Sequence, residues 1–384
     1  MNDKLLKIGV IGAGGRGGLS RNAVLPGVGG KIVALCDTDP DAFKKYEGVC
    51  DENVYKCSDY RDLLARPEVE AVFVCTPDYL HEEHAIAALQ AGKHVYLEKP
   101  MAITIEGCDK ILNEARKSGK KLYLGHNMRH MRFVQKMKEL VDSGAIGKVK
   151  AAWCRHFIAY GGDAYFKDWH AEREKGTGLL LQKAAHDIDV LHWICGGYTT
   201  RVVGQGGLTL YDQITDRHPD TERGDATFRN ENWPPLSQKQ LNPVIDVEDI
   251  SHILMQLDNG VFATYQQCHF TPDAWRNYTI IGTEGRIENL GENKVALWNT
   301  RCYYKAEGDE QFDCTPEGGS HGGADPMIVA EFVRYVREGG NILTSPIAAR
   351  NSVAAGYLGT MSIRSGSTPY NIPPVNAELV KYFS

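Results

Sequence analysis

Apolar positions in the first third of the chain fall into short runs separated by helix-like stretches. LKIGVI at 6–11, KIVALC at 31–36 and AVFVC at 71–75 read as buried strands, and HVYL at 94–97 and KLYL at 121–124 as shorter ones. HEEHAIAALQAG at 81–92 has a helical pattern stopped by Gly92, and Cys108, Ile111, Leu112 and Ala115 share one face of the next helix. Strands alternating with helices predict parallel βαβ units and a doubly wound sheet, where ligands lie beyond the carboxyl ends of the strands.

After about residue 128 the pattern changes. It predicts a helix over 131–142, a strand over 147–158 and, behind the glycine-rich EKGTG, a helix over 182–195. Residues 205–245 are polar, with Pro and Gly, and read as a long surface excursion of open purpose. The stretches 250–258, 261–269, 277–282 and 294–298 alternate like antiparallel strands, and helices follow over 326–338 and 345–364. The expected fold is an α/β Rossmann domain over 1–128, doubly wound around a mainly parallel sheet. A C-terminal α+β domain over 129–384 follows, with a large, mostly antiparallel open sheet.

Composition narrows the classes. The 384 residues are 42% hydrophobic and 24% charged, with a net charge of −6. No basic run offers a footprint for nucleic acid, so no nucleic-acid partner is expected. No run of about 18 apolar residues exists, so no membrane partner is expected. The N-terminus lacks the apolar stretch of a leader, and the default expectation is cytoplasmic. None of the ten cysteines forms a Cys-x-x-Cys pair, and His81 and His84 are not spaced as in H-E-x-x-H, so no metal site is expected.

The chemistry gathers at strand ends. Gly12-Ala13-Gly14-Gly15-Arg16-Gly17 fits G-x-G-x-x-G after the first strand, and Asp37 ends the second, 20 residues beyond Gly17. The glycines allow a tight turn and close approach of a pyrophosphate, and Asp37 can accept a bond from the ribose 2′-hydroxyl. That carboxylate would repel a 2′-phosphate, so NAD is expected in preference to NADP. Thr76-Pro77 and Glu98-Lys99-Pro100 end the third and fourth strands, and His126 to His130, including Asn127, ends the fifth. A half-buried Lys99 facing a nicotinamide can act as an acid/base. Gln182, Lys183, His186 and Asp189 share one helix at spacings that put Gln182, His186 and Asp189 on one side. Asp189 is placed to orient His186. Asp325, before Pro326, reads as a helix N-cap. His321 and Arg155 are counted as substrate contacts.

These residues resemble the Gfo/Idh/MocA oxidoreductases, the relatives of glucose–fructose oxidoreductase and inositol dehydrogenase. The likeness rests on IGAGGRG at 11–17, CTPDYLHEEHAIAALQAGKHVYLEKPMA at 75–102, DW at 168–169, GTGLLLQKAAHDIDVLHW at 176–193, DVEDISHILMQLDNGVFATY at 246–265 and GTEGRI at 282–287. It implies that Lys99 is the catalytic lysine and that Glu98, Thr76, Pro77 and His81 lie at the cofactor. It implies too that Trp169 lies near the nicotinamide, that His186 faces substrate, and that the open sheet joins copies into a dimer or tetramer. Gln182 stands where the family usually has an acid and is followed by Lys183, which can bind an anionic or hydroxyl-rich group or serve as a second base. His170 stands where an Arg is common.

The expected activity is hydride transfer between NAD and a secondary alcohol or ketone of a sugar, polyol or glycoside. Two rivals stand beside it: a redox-neutral glycosidase that keeps its NAD, and an NAD-responsive binding protein without catalysis.

Overall fold

A computed structural model describes residues 5–219, 226–316, 318 and 320–384. The first four residues, read above for a leader, and residues 220–225 of the excursion lie outside them. The chain forms two units. The first takes the described residues of 1–131, 317–350 and 375–384, and the second those of 132–316 and 351–374. The first crossing falls at 131/132, beside an expected boundary at 128/129, and the chain comes back at 316/317, for a reason visible in the packing.

The first unit contains β1 (Leu6–Ile11), β2 (Gly30–Cys36), β3 (Tyr55–Cys57), β4 (Ala71–Val74), β5 (His94–Leu97) and β6 (Leu122–Leu124), with α1 (Tyr60–Leu64), α2 (His81–Gln90) and α3 (Ile105–Ser118). Its strands are all parallel in the order β3-β2-β1-β4-β5-β6, the doubly wound order of dinucleotide-binding sheets. A parallel sheet has to be covered on both faces. α2 packs against β4 and β5. The link from β1 to β2 holds a 3-10 segment, Arg16–Val24.

The second unit contains α4 (Arg132–Asp142), β7 (Val149–Phe157), α5 (Arg173–Gly176), α6 (Leu179–Cys195), β8 (Thr199–Gly207), β9 (Ile250–Leu257), β10 (Phe262–Cys268), β11 (Trp275–Gly282), β12 (Arg286–Asn289), β13 (Lys294–Trp298), β14 (Glu310–Asp313) and β15 (Tyr370–Asn371). Its sheet runs β14-β13-β12-β11-β7-β10-β9-β8-β15. Only the β7–β10 pair is parallel among the paired strands. α4 and α6 pack on one face. Leu254 and Phe262, on the other, are 59% and 62% exposed. The excursion starts after Gly207 and is anchored, because Tyr211, Ile214, Leu241 and Val247 bury against Phe166 and Leu179.

The chain then returns to the first unit through α7 (Ala324–Glu338), re-enters the second within α8 (Pro346–Arg364) and ends in the first with α9 (Ala377–Phe383). Ile328, Val329, Phe332 and Val333 of α7 join the core with Ile8, Val10, Phe73, Tyr96 and Tyr123. Phe332 meets the rings of Phe73, Tyr96 and Tyr123 at 5.2, 5.6 and 5.8 Å. α7 thus covers the face of the parallel sheet that carries these rings.

Candidate active site

The candidates of the first unit gather at the carboxyl ends of β1, β2, β4, β5 and β6. Gly12 has φ +83°, and a Cβ there would stand 2.8 Å from the carbonyl of Cys75. A Cβ on Gly17 would stand 2.0 Å from the carbonyl oxygen of Gly12, so that turn closes only on glycine. Gly15 has open space around it. The turn therefore presents bare backbone, as a diphosphate requires. Asp37 accepts from the Gly14 N–H at 2.8 Å and the Asp39 N–H at 2.9 Å, which fixes its carboxylate beside that turn. These residues fit a dinucleotide whose ribose hydroxyls need an acceptor.

Beside the turn stands a charged cluster that the sequence showed only in pieces. Arg16 donates to Glu98 at 2.9 Å and, through both terminal nitrogens, to Asp325 at 2.7 Å each. Asn127 donates to the same Asp325 carboxylate at 2.9 Å, and His321 Nδ1 stands 2.9 Å from it. Burial would raise the Asp325 carboxyl, but the bonds from His321 and Arg16 outweigh it and hold it well below the usual carboxylate range. Burial likewise opposes the Arg16 charge, and Glu98 and Asp325 overcome it. The N-cap of α7 is Gly323, so Asp325 serves Arg16 instead of capping. His321, counted above as a substrate contact, belongs to this cluster in the first unit.

His81 joins two of the strand ends. Its Nδ1 lies 2.7 Å from the Pro100 carbonyl and its Nε2 2.8 Å from the Thr76 carbonyl. Burial lowers its pKa. The Thr76 hydroxyl lies 3.0 Å from His84 Nδ1, and Pro77 leads into the turn Asp78–Leu80. Lys99 is half-buried and joined to Pro100 by a cis peptide. Its backbone N–H donates to Glu98 at 3.2 Å.

The second unit holds the other candidates. α6 carries Gln182 and Lys183, both buried, and His186, half-buried. It follows Thr177, whose φ of +61° is a strained conformation for threonine. The Lys183 ammonium bonds to the Tyr165 hydroxyl and stands 3.9 Å from the centre of that ring. His269 and His170 meet Tyr165 edge-on at 5.6 and 5.2 Å. His269 is fully buried, and neither ring nitrogen has a hydrogen bond among the described residues. Burial and the Lys183 charge keep it neutral, leaving one donor and one acceptor available. Trp169 stacks on His170 at 3.7 Å, which is bonded to Asp168.

Beneath α6 lies a network absent from the sequence expectations. Asp187 meets the sheet: it accepts from the Tyr278 hydroxyl, pairs with Arg276 Nε at 3.0 Å and stands 3.2 Å from His156 Nδ1. Burial alone would raise Asp187, but Arg276 and His156 outweigh it and hold it low. His156 is pushed down to about 4, mainly by burial. The alternation of β7 turns His156 toward α6 and Arg155 to the opposite face, where Arg155 donates to Asn277 at 2.5 and 3.1 Å. Arg155 is therefore not brought together with Lys183. The HDID run at 186–189 offered the signal for Asp187, whereas Tyr165, His269 and Arg276 carry no local one.

Comparison with known proteins identifies the family. Residues 6–126 match the model of an oxidoreductase family with an NAD-binding Rossmann fold, and residues 134–288 match the Gfo/Idh/MocA C-terminal domain. The chain belongs to the Gfo/Idh/MocA family. It is thus an NAD-binding oxidoreductase. A family relative, the inositol 2-dehydrogenase/D-chiro-inositol 3-dehydrogenase of Halalkalibacterium halodurans, is 34% identical over 193 residues, covering 49% of this chain and 52% of that protein. Another, the 2,7-anhydro-N-acetylneuraminate hydratase of Mediterraneibacter gnavus, is 33% identical over 181 residues, covering 47% and 46%. The chain spans about half the length of these two relatives. Among solved structures, levoglucosan dehydrogenase in complex with NADH and L-sorbose shares the fold. Its TM-score is 0.79 over 97% of this chain and 100% of that one, at 19% identity.

Proposed function

We propose that this family member transfers hydride between NAD and a secondary alcohol or ketone on a sugar, polyol or glycoside, with Lys99 as the acid/base. The observation that supports this reading most is the buried polar set of the second unit. Lys183, held on Tyr165, and the unsatisfied ring of His269 stand with Gln182 and His186, a group suited to adjacent hydroxyls. Gly12 to Gly17 and Asp37 would hold NAD, with Arg16, Thr76, Pro77, His81, Glu98, Asn127 and Trp169 as its further neighbours. When bound, NAD supplies the hydride acceptor or donor. Lys99 takes the proton from the carbinol oxygen in oxidation and returns it in reduction. His186, Lys183 and Gln182 hold the alcohol and its neighbouring hydroxyls. The protein is read as cytoplasmic, in keeping with its ten free cysteines, and as a dimer or tetramer formed through the open sheet face.

The test is NADH absorbance with a panel of polyols, free sugars and glycosides. Turnover is expected with at least one, and Lys99→Met is expected to lower kcat by about 100-fold or more while NAD affinity persists. Near-normal turnover of that variant removes Lys99 from the mechanism. Gln182 and Lys183, in place of the family's usual acid, favour a second reading: oxidation, loss of the aglycone, addition of water and reduction in one site. Glycoside cleavage that requires NAD but leaves no NADH selects it.

A further inference from the structure

The excursion of the second unit walls a cavity that the reaction proposed above does not use. It has a volume of about 300 Å³ and is lined by Tyr211, Phe228, Trp233, Asp163, Asn232 and Gln238 among others. That is the small end of the range for ligand pockets, enough for one ring but not a chain of them. Two features make it a built site. Trp233 and Phe228 are 47% and 59% exposed, so broad aromatic faces stand open to solvent on a segment otherwise anchored by its own core. Gln238 is only 5% exposed, and its side-chain oxygen accepts no hydrogen bond among the described residues. A buried amide oxygen of that kind calls for an external O–H or N–H donor. Asp163, buried at 3% exposure, takes a bond from Asn232 and lines the same space.

Flat aromatic faces beside amides and one carboxylate match a pyranose, which has an apolar C–H face and a rim of hydroxyl donors. Among the described residues the lining holds one acidic and one basic side chain, Asp163 and Arg229, so a neutral ring suits it better than an anionic one. The cavity also adjoins the polar set on α6. Gly162 lies against the Gln238 side chain, where a Cβ would come within 2.8 Å, and three residues later the same turn supplies Tyr165 to Lys183.

We infer that this cavity is a second carbohydrate subsite, which binds a neutral pyranose ring remote from the carbon that reacts. The substrate is then a disaccharide or a similar glycoside, not a free monosaccharide. The inference rests on the hydroxyl-binding role proposed for the second unit, but it is read by binding as well as by turnover. Binding energy from a remote ring is well spent on orienting the reacting one.

The experiment uses the full-length NAD-loaded protein. Binding of cellobiose, lactose and maltose, and of glucose, galactose and methyl β-glucoside, is followed by tryptophan fluorescence and saturation-transfer NMR. NADH formation is recorded in parallel. At least one disaccharide is expected to bind about tenfold more tightly than either of its component sugars. Trp233→Ala and Gln238→Leu are each expected to bring it within about twofold of them, without changing monosaccharide binding, while Trp233→Phe retains most of the gain. Trp233 is half exposed, so its loss is expected to leave the unfolding midpoint unchanged. A disaccharide advantage without turnover keeps the subsite and overturns the dehydrogenase reading. Turnover of monosaccharides with no disaccharide advantage, an advantage indifferent to both variants, or no binding by any disaccharide overturns the subsite.

Discussion

Asp325 is the residue on which the first unit's charged cluster converges, and its energetics are testable by pH. Its carboxyl is held below the usual range in the folded chain. Its contribution is then complete above the unfolded value, about 4, and is lost as pH falls below that. Asp325→Asn is expected to lower stability at pH 7 by about 2–3 kcal/mol, discounted because 29% of the Arg16 side chain meets solvent. Urea denaturation should show this gap narrowing between pH 5 and pH 3, and a gap indifferent to pH would remove the ion pair as its cause. Asp37 makes a different prediction. With its carboxylate fixed by Gly14, Asp37→Ser is expected to cut kcat/KM for NAD about 10- to 100-fold, the worth of one hydrogen bond to a charged group. The same change should raise the relative use of NADP. An unchanged ratio of the two cofactors would end the assignment of Asp37 to the ribose.

At the scale of elements, α6 is fixed on its sheet by Asp187. Asp187→Leu is expected to cost about 2–4 kcal/mol, less than for a fully buried pair because Arg276 keeps a fifth of its side chain in water. Adding Arg276→Leu should recover part of that loss, and chemical denaturation of the two singles and the double measures the coupling. A loss under about 0.5 kcal/mol in the single variant would show that the helix is held by packing alone. The same elements show what was legible in the sequence. The turn from Gly12 to Gly17 and Asp37 were readable because their chemistry is local. β4, β5, α2 and α3 were readable because their apolar patterns are strong. β8 was missed because Gly204, Gly206 and Gly207 argue against a strand. Those glycines answer to neighbours far along the chain: a Cβ would meet the Gly359 carbonyl at 2.8 Å from Gly204, and the Ile250 carbonyl at 2.3 Å from Gly206. Arg155 was misplaced for a related reason. Alternation tells which residues of β7 share a face, not which face receives a helix.

For the whole molecule, the division into units decides what can fold alone. A fragment of residues 1–131 lacks α7 and leaves the Phe73, Tyr96 and Tyr123 face open. It is expected to be poorly packed and unable to bind NAD, with narrow NMR dispersion, whereas the same fragment joined to residues 317–350 recovers both. A well-dispersed, NAD-binding 1–131 fragment would show that α7 is dispensable. The return of the chain also orders events during synthesis. Phe332 leaves the ribosome 208 residues after β6 ends at Leu124 (332 − 124). At about 5–20 residues per second, that is a delay of roughly 10–40 s. Throughout it, the nascent chain carries an aromatic face that α7 has yet to cover. The unit whose strands are made first is therefore closed only when α7 has emerged, and binding of its cofactor is expected only from that point.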